Sequence, residues 1–291
     1  MAGRHPKQAA DTERMHPERP SRESTLALNA RAWDRLAAEG ADLARPALDE
    51  AFADPRGWLG SGGSADRPWL PQRFDGLEVL CLAAGGGKHG PLYAAAGGRV
   101  TVVDISPAML ELDRQVARER KLDLAVVEGS MDDLSMLGVG RFDLVIHPVS
   151  TCYLPEIAQV FRELARVTRA GGRYLSQHKS PASLQASLEP GTTGRYELVH
   201  PQRVAGPLPP ALPSRLREAG THEFIHSLTA ILGGICRAGF SIEDVFEPEH
   251  VEAGAAIGSF GHRAGFLPPY VRILARRGGG VSGASGILLV E

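Results

Sequence analysis

The chain has 291 residues, a formal net charge of −2, 43% hydrophobic residues and three cysteines. That length and apolar content suffice for one large α/β core with a modest cap, and the near-neutral balance gives no overall field for nucleic acid or an anionic membrane surface. Cys81, Cys152 and Cys236 are far apart and in apolar contexts, which excludes a disulfide framework or a Cys-x-x-Cys zinc site and suits reduced thiols in a cytoplasm.

Residues 1–24 mix proline and charge with few large apolar side chains and predict a disordered leader. Helices are expected over Leu26–Ala38 and Ala41–Ala53, punctuated by Gly40 and Asp54-Pro55, so that 25–73 form a helical cap and linker. The main domain is expected over 74–277. Strands near 78–83, 99–104, 122–127, 142–147 and 172–177 alternate with helices near 88–96, 107–120, 131–137 and 155–168, the pattern of a parallel sheet covered on both faces. Prolines at 181, 190, 201, 207, 209, 210 and 213 predict an irregular, substrate-side insertion over 180–221. A helix over Glu223–Arg237 and strands over Phe240–Phe246 and Tyr270–Arg276 follow. Residues 278–291 read as a flexible tail, with Ile287–Val290 either an edge strand or unstructured. No apolar signal core and no 18-residue apolar run occurs, so a cytoplasmic location is expected.

The chemistry concentrates between 79 and 110. The apolar run Val79–Ala84 reads as a buried strand, and Gly85-Gly86-Gly87 lets the backbone turn tightly and approach a ligand. Gly85, Gly87 and Gly90 also satisfy G-x-G-x-x-G, which leaves an NAD(P)-dependent oxidoreductase open. Asp104 ends the second strand about 20 residues past the glycines, where such folds hold ribose hydroxyls. Ser106 then supplies an N-cap and Pro107 a first helical turn.

The segment Asp104-Ile105-Ser106-Pro107-Ala108-Met109-Leu110 resembles the class I S-adenosylmethionine-dependent methyltransferases. Gly129–Leu134, Arg141–Ile146, Val160–Val167 and Gly171–Leu175 follow that family's order, and the resemblance covers residues 77–178 well. It implies a Rossmann-like, doubly wound α/β sheet of seven strands, mostly parallel with an antiparallel last strand. It also implies S-adenosyl-L-methionine as cofactor, held by Ala83, Gly85, Gly87, Asp104, Ile105, Met109, Ser130, Met131, Asp132 and His147. Three positions depart from the family pattern. Cys81 replaces the usual first-strand acid, Ala83 the first glycine, and Ser130 the adenine-binding acid. Asp143, Glu78 or a water is left to hold the methionine ammonium, and Asp132 or the Met131 amide to reach adenine. Amides of the Gly85–Gly87 turn would receive the methionine carboxylate.

Methyl transfer needs alignment more than covalent help, and reacting groups belong beyond the carboxyl ends of the strands. The fourth strand delivers His147, followed by Ser150, Thr151 and Tyr153, and the fifth delivers His178 and Lys179. His147, Tyr153 and His178 are the catalytic candidates, with His147 either a general base or a support beneath the cofactor. His222, His226 and His262 are candidates for the rim, and Trp33, Tyr153 and Tyr196 for an aromatic wall. No metal-ligand spacing is present. Without a basic stripe or an Asn-Pro-Pro-Tyr sequence, a small-molecule methyl acceptor is favoured over nucleic acid, and no membrane partner is expected. A homodimer stays open, as does a non-catalytic cofactor-binding module of the same fold.

Overall fold

The computed structural model describes residues 20–60, 62–63, 68–204, 206–212 and 214–279. Most of the expected leader and the tail beyond 279, with Ile287–Val290, lie outside the described residues. The first element is α1 (Arg22–Ala38), whose N-cap Ser21 accepts the Ser24 amide, so the helix starts inside the segment expected as leader. The helix expected over Ala41–Ala53 is broken. A single 3₁₀ turn at Asp42–Ala44 precedes Pro46, which can neither donate to nor fit inside a helix, and only α2 (Asp49–Ala53) follows, then α3 (Pro55–Leu59).

The main domain alternates β1 (Glu78–Leu82), α4 (His89–Ala95), β2 (Arg99–Asp104), α5 (Pro107–Arg120), β3 (Leu124–Glu128), β4 (Phe142–His147), α6 (Ala158–Val167) and β5 (Thr168–Lys179). After α7 (Pro181–Gln185) and the proline-rich insertion come α8 (Leu228–Arg237), β6 (Phe240–Phe246), α9 (Phe260–Ala264) and β7 (Tyr270–Arg277). The seven strands form one sheet in the order β3-β2-β1-β4-β5-β7-β6, with β7 antiparallel to both its neighbours. The expected architecture, including the antiparallel last strand, is thus present.

Residues 131–137 form turns instead of a helix. Short polar side chains capture the local backbone there, with Asp133 Oδ1 accepting the Ser135 amide at 3.1 Å. The helix expected from Glu223 begins only after Ser227, which caps Ala230, because Glu223 is committed to buried ion pairs.

The sheet separates two cores. One face carries Leu80, Leu82, Val145 and Tyr174 against Phe161 and Leu164 of α6 and Ile231 and Ile235 of α8. The other carries Val79, Cys81, Leu144, Ile146 and Leu175 against Tyr93 of α4 and Leu110 of α5. Each fully buried large apolar side chain contributes about 1.5–3 kcal/mol, so both faces are firmly set and the strand ends are fixed relative to one another. Strand order reverses between β1 and β4, the place where such sheets open a ligand crevice. Among the described residues no helix is long and apolar enough to cross a membrane.

Candidate active site

A cavity of about 310 Å³ lies at this switch point. On one side it is lined by Ala83, Gly85, Asp104, Ile105, Met109, Ser130 and Met131. The glycine turn is held from two sides. The Gly85 amide donates to Asp104 Oδ2 at 2.9 Å, and the Gly86 amide donates to Asp113 Oδ2 at 2.9 Å. Ala83 sits at φ 48, in the left-handed region, which is the physical reason that the family favours glycine at this position. Asp104 Oδ1 accepts the Ser106 amide at 3.0 Å, so each of its oxygens keeps a lone pair for a ribose hydroxyl, while burial raises its pKa.

Asp113 was not singled out by sequence, and it holds the glycine turn from behind without lining the cavity. It is fully buried, burial pushes it up to about 7, and it reaches the glycine turn from α5 rather than from β1. The signal was readable: Met109, Leu110, Asp113 and Val116 form the buried stripe of α5, and an acid in an apolar stripe requires a partner. Glu78 and Asp143 do not reach the cavity. They lie at the opposite, amino ends of β1 and β4, where Asp143 accepts the Glu78 amide and pairs with Arg169 at 2.6 Å, and Glu78 pairs with Arg99 and Arg141.

Other expected ligands are placed elsewhere. Gly87, at φ 73, packs toward Pro46 and Val116 instead of lining the cavity. Asp132 is turned to α1, where Arg22 donates to both its oxygens at 2.6 and 2.7 Å, which leaves Ser130 and Met131 lining the cavity.

His147 and His178 are corrections to the expected chemistry. Neither lines the cavity, and each is only 1% exposed. His147 is bonded to Tyr174 Oη at 2.9 Å and to Ser150 Oγ at 2.7 Å. His178 is bonded to Thr151 Oγ1 at 2.8 Å and Ser176 Oγ at 2.9 Å. Burial pushes both imidazoles down to about 3, so they are neutral and have no nitrogen left for a substrate. An unfolded histidine takes up a proton near pH 6.5, which the folded ring refuses until about pH 3. Each therefore withdraws stability as pH falls below about 6.5, by about 1.4 kcal/mol per pH unit. His178→Gln is expected to flatten the pH dependence of unfolding between about pH 6 and 4 by one proton. Denaturant titrations at several pH values measure this, and an unchanged slope would refute the buried neutral state.

The far side of the cavity is built by Tyr153, Gln177, Lys179, Glu218 and Tyr270. Lys179 Nζ donates to Glu218 Oε2 and Glu223 Oε1, both at 2.6 Å, and the Tyr153 hydroxyl donates to Glu218 Oε2 at 2.7 Å. Arg217 pairs with the other Glu223 oxygen. Burial works to raise Glu218, but Lys179 and its hydrogen bonds overcome it and hold the carboxyl below its usual value. Burial and the neighbouring Glu218 push Glu223 up to about 7. Sequence reading named Tyr153 and Lys179 but missed the two glutamates, which come from the irregular insertion and just beyond it. His222, His226, His262 and Tyr196 do not line the cavity: His226 bonds the carbonyls of Thr151 and Leu154, and Tyr196 bonds His262 at 3.0 Å. No cluster among the described residues is suited to a metal ion.

Helix α1 roofs the cavity with Leu26, Asn29 and Trp33. It is tied down along its length by Arg22 to Asp132, by Asn29 to the carbonyls of Tyr153 and His222, and by Asp34 to Ser106 Oγ at 2.6 Å. Trp33 meets the Tyr153 ring edge-on, with centroids 5.8 Å apart.

Residues 80–176 match the methyltransferase-domain family model. The chain is 32% identical over 230 residues to an uncharacterized methyltransferase, YbaJ, of Bacillus subtilis, covering 76% of this chain and 90% of that one. A crystal structure of an S-adenosylmethionine-dependent methyltransferase from Mesorhizobium loti superimposes with a TM-score of 0.54 at 24% identity, over 75% of this chain and all of that one. The geranyl diphosphate C-methyltransferase of Streptomyces coelicolor, solved with S-adenosyl-L-homocysteine, does so with 0.56 at 17% identity, over 87% of this chain and 98% of that one. The glycine turn, the ribose acid, the strand order and the relative sharing most of the chain agree: this chain belongs to the class I S-adenosylmethionine-dependent methyltransferase family.

Proposed function

We propose that the enzyme methylates a small molecule held between the cofactor and the Tyr153–Lys179–Glu218 cluster. The observation that carries this reading is a cavity of about 310 Å³ under α1, which has the glycine turn and Asp104 on one side and an ionic wall on the other. That volume is at the low end for ligand pockets, so an acceptor held beside the cofactor must be compact.

The residues fit the cofactor: Gly85 presents bare backbone, and any Cβ there would come within 2.9 Å of Met109. Asp104 would accept the ribose hydroxyls, and Ser130 and Met131 would flank adenine. When bound, S-adenosyl-L-methionine supplies an electrophilic methyl on a sulfonium. Glu218, kept ionised by Lys179, would accept a hydrogen bond from a hydroxyl or amine of the acceptor and so orient its lone pair, while Trp33 excludes water. Tyr153 serves in this reading through Glu218, whose carboxylate it fixes. His147 and His178 support the strand ends. We place the reaction in the cytoplasm on the reduced-thiol composition alone.

Native mass spectrometry of the purified protein is expected to show retained S-adenosylhomocysteine. Asp104→Ala should weaken that binding by about 1.5–3 kcal/mol, since charge-assisted bonds to the ribose are lost. With a labelled methyl donor and cell extract, label should enter the metabolite fraction; label confined to protein or nucleic acid would overturn the small-molecule reading.

A further inference from the structure

Beside the cofactor cavity lies a second chamber of about 510 Å³, and the two share Lys88, His89, Pro148 and Gln177 as a common wall. Its apolar lining sets three aromatic rings, Trp58, Trp69 and Tyr93, among leucines and Ile146. Its charged lining is of one sign. Lys88 and Arg272 face it beside the neutral imidazoles of His89 and His147, and no aspartate or glutamate among the described residues does.

Arg272, on β7 opposite Gln177 of β5, is half-buried. Its Nε donates to Gln177 Oε1 at 2.6 Å, and Nη1 approaches the Gly62 carbonyl at 3.4 Å. Among the described residues no carboxylate pairs with it; its partners are a side-chain amide oxygen and a backbone carbonyl. Lys88 is likewise bonded only to carbonyls, those of Asp42 and Leu43. Burial lowers the pKa of Arg272, and burial with the nearby Lys88 and Arg272 pushes His89 down to about 4. Cations drawn from water without a counter-charge are costly, and an arriving oxyanion relieves that cost. The unused edge of a guanidinium suits a carboxylate with two parallel bonds, and aromatic walls suit a planar apolar body.

We propose that this chamber binds the acceptor's carboxylate end, with Arg272 as its principal partner, so that the acceptor is a small carboxylic acid with a flat apolar body. The inference rests on the small-molecule reading above. Its reacting end would point past Gln177 toward Glu218. The cofactor carries a carboxylate of its own, and the two sources are separable.

The test is calorimetry on protein saturated with S-adenosylhomocysteine, titrated with 2-naphthoate and with its neutral counterpart 2-naphthamide. Wild type is expected to bind the acid at least about tenfold more tightly than the amide, the range of one charge-assisted hydrogen bond. Arg272→Gln should abolish that preference and Arg272→Lys should keep part of it, with S-adenosylhomocysteine affinity unchanged in both. Equal binding of acid and amide by wild type, or no binding of either, would overturn the proposal without needing any variant. If Arg272→Gln weakens S-adenosylhomocysteine but not 5′-methylthioadenosine, which lacks the carboxylate, the acceptor assignment falls and Arg272 belongs to the cofactor. Failure of wild type to bind S-adenosylhomocysteine at all would instead overturn the assignment of the first cavity.

Discussion

Lys179→Met is expected to destabilise the enzyme by about 3–5 kcal/mol, the cost of leaving buried charge without its partner. The lysine side chain is 3% exposed and shared between Glu218 and Glu223. Its loss sets two buried carboxyls against each other with only Arg217 to compensate, and Arg217 reaches Glu223 alone. Melting should drop by roughly 10 °C for a domain of this size. The sign of the pH dependence follows from Glu218, whose pKa in the folded protein lies below its ordinary value. The stability that Lys179 confers on it is present above the unfolded carboxylate value of about 4.3 and is lost as pH falls through the folded value. The gap between wild type and variant should therefore narrow on acidification. Melting curves at several pH values decide it, and a variant that melts with wild type would remove the ionic cluster from the account of stability. Turnover should fall as well, because Lys179 faces the cavity.

Gly85→Val is expected to eliminate cofactor binding while leaving the protein folded. A Cβ at this position would stand 2.9 Å from Met109 Cβ and 3.1 Å from Asp104 Oδ2, so it acts on the very carboxylate that the turn positions. Displacing Asp104 forfeits the ribose bonds, and the branched side chain also fills the approach to the backbone. Together these should cost S-adenosylhomocysteine at least about a hundredfold in affinity, roughly 2.7 kcal/mol. Circular dichroism establishes folding and calorimetry the affinity. Tight binding by a folded Gly85→Val protein would mean that the cofactor does not lie against this turn.

The cofactor wall was legible because its signals are local. A glycine turn, an acid about 20 residues on, and Ser106-Pro107 opening a helix each follow from short-range backbone chemistry. The strand ends were harder. Strands buried on both faces read as unbroken apolar runs and do not reveal which face opens on the crevice. On β5, Gln177 and Lys179 line the cavity while Leu175 on the same face packs with Val79 and Ile146; Tyr174 and His178 are buried on the other face. Glu218 and Glu223 were invisible for a different reason. They meet Lys179 across 39 and 44 residues of chain, and a proline-rich stretch has no period from which to foresee where it returns. Pro46 was legible in principle, since a proline inside an expected helix argues for the break that the structure contains.

The roof formed by α1 has a kinetic meaning. Its ties to the body are an ion pair at Arg22, amide bonds at the buried Asn29 and a carboxylate bond at Asp34, with Leu26 packed against the core. No large apolar side chain of α1 is fully buried, so it belongs with the parts of a fold that open most easily. The helix spans both ends of the cavity, through Arg22 and Asp132 at one and Asn29 and Tyr153 at the other, so loosening it would uncover the whole cavity at once. Arg22, which does not line the cavity, thereby bears on how readily a ligand enters and leaves.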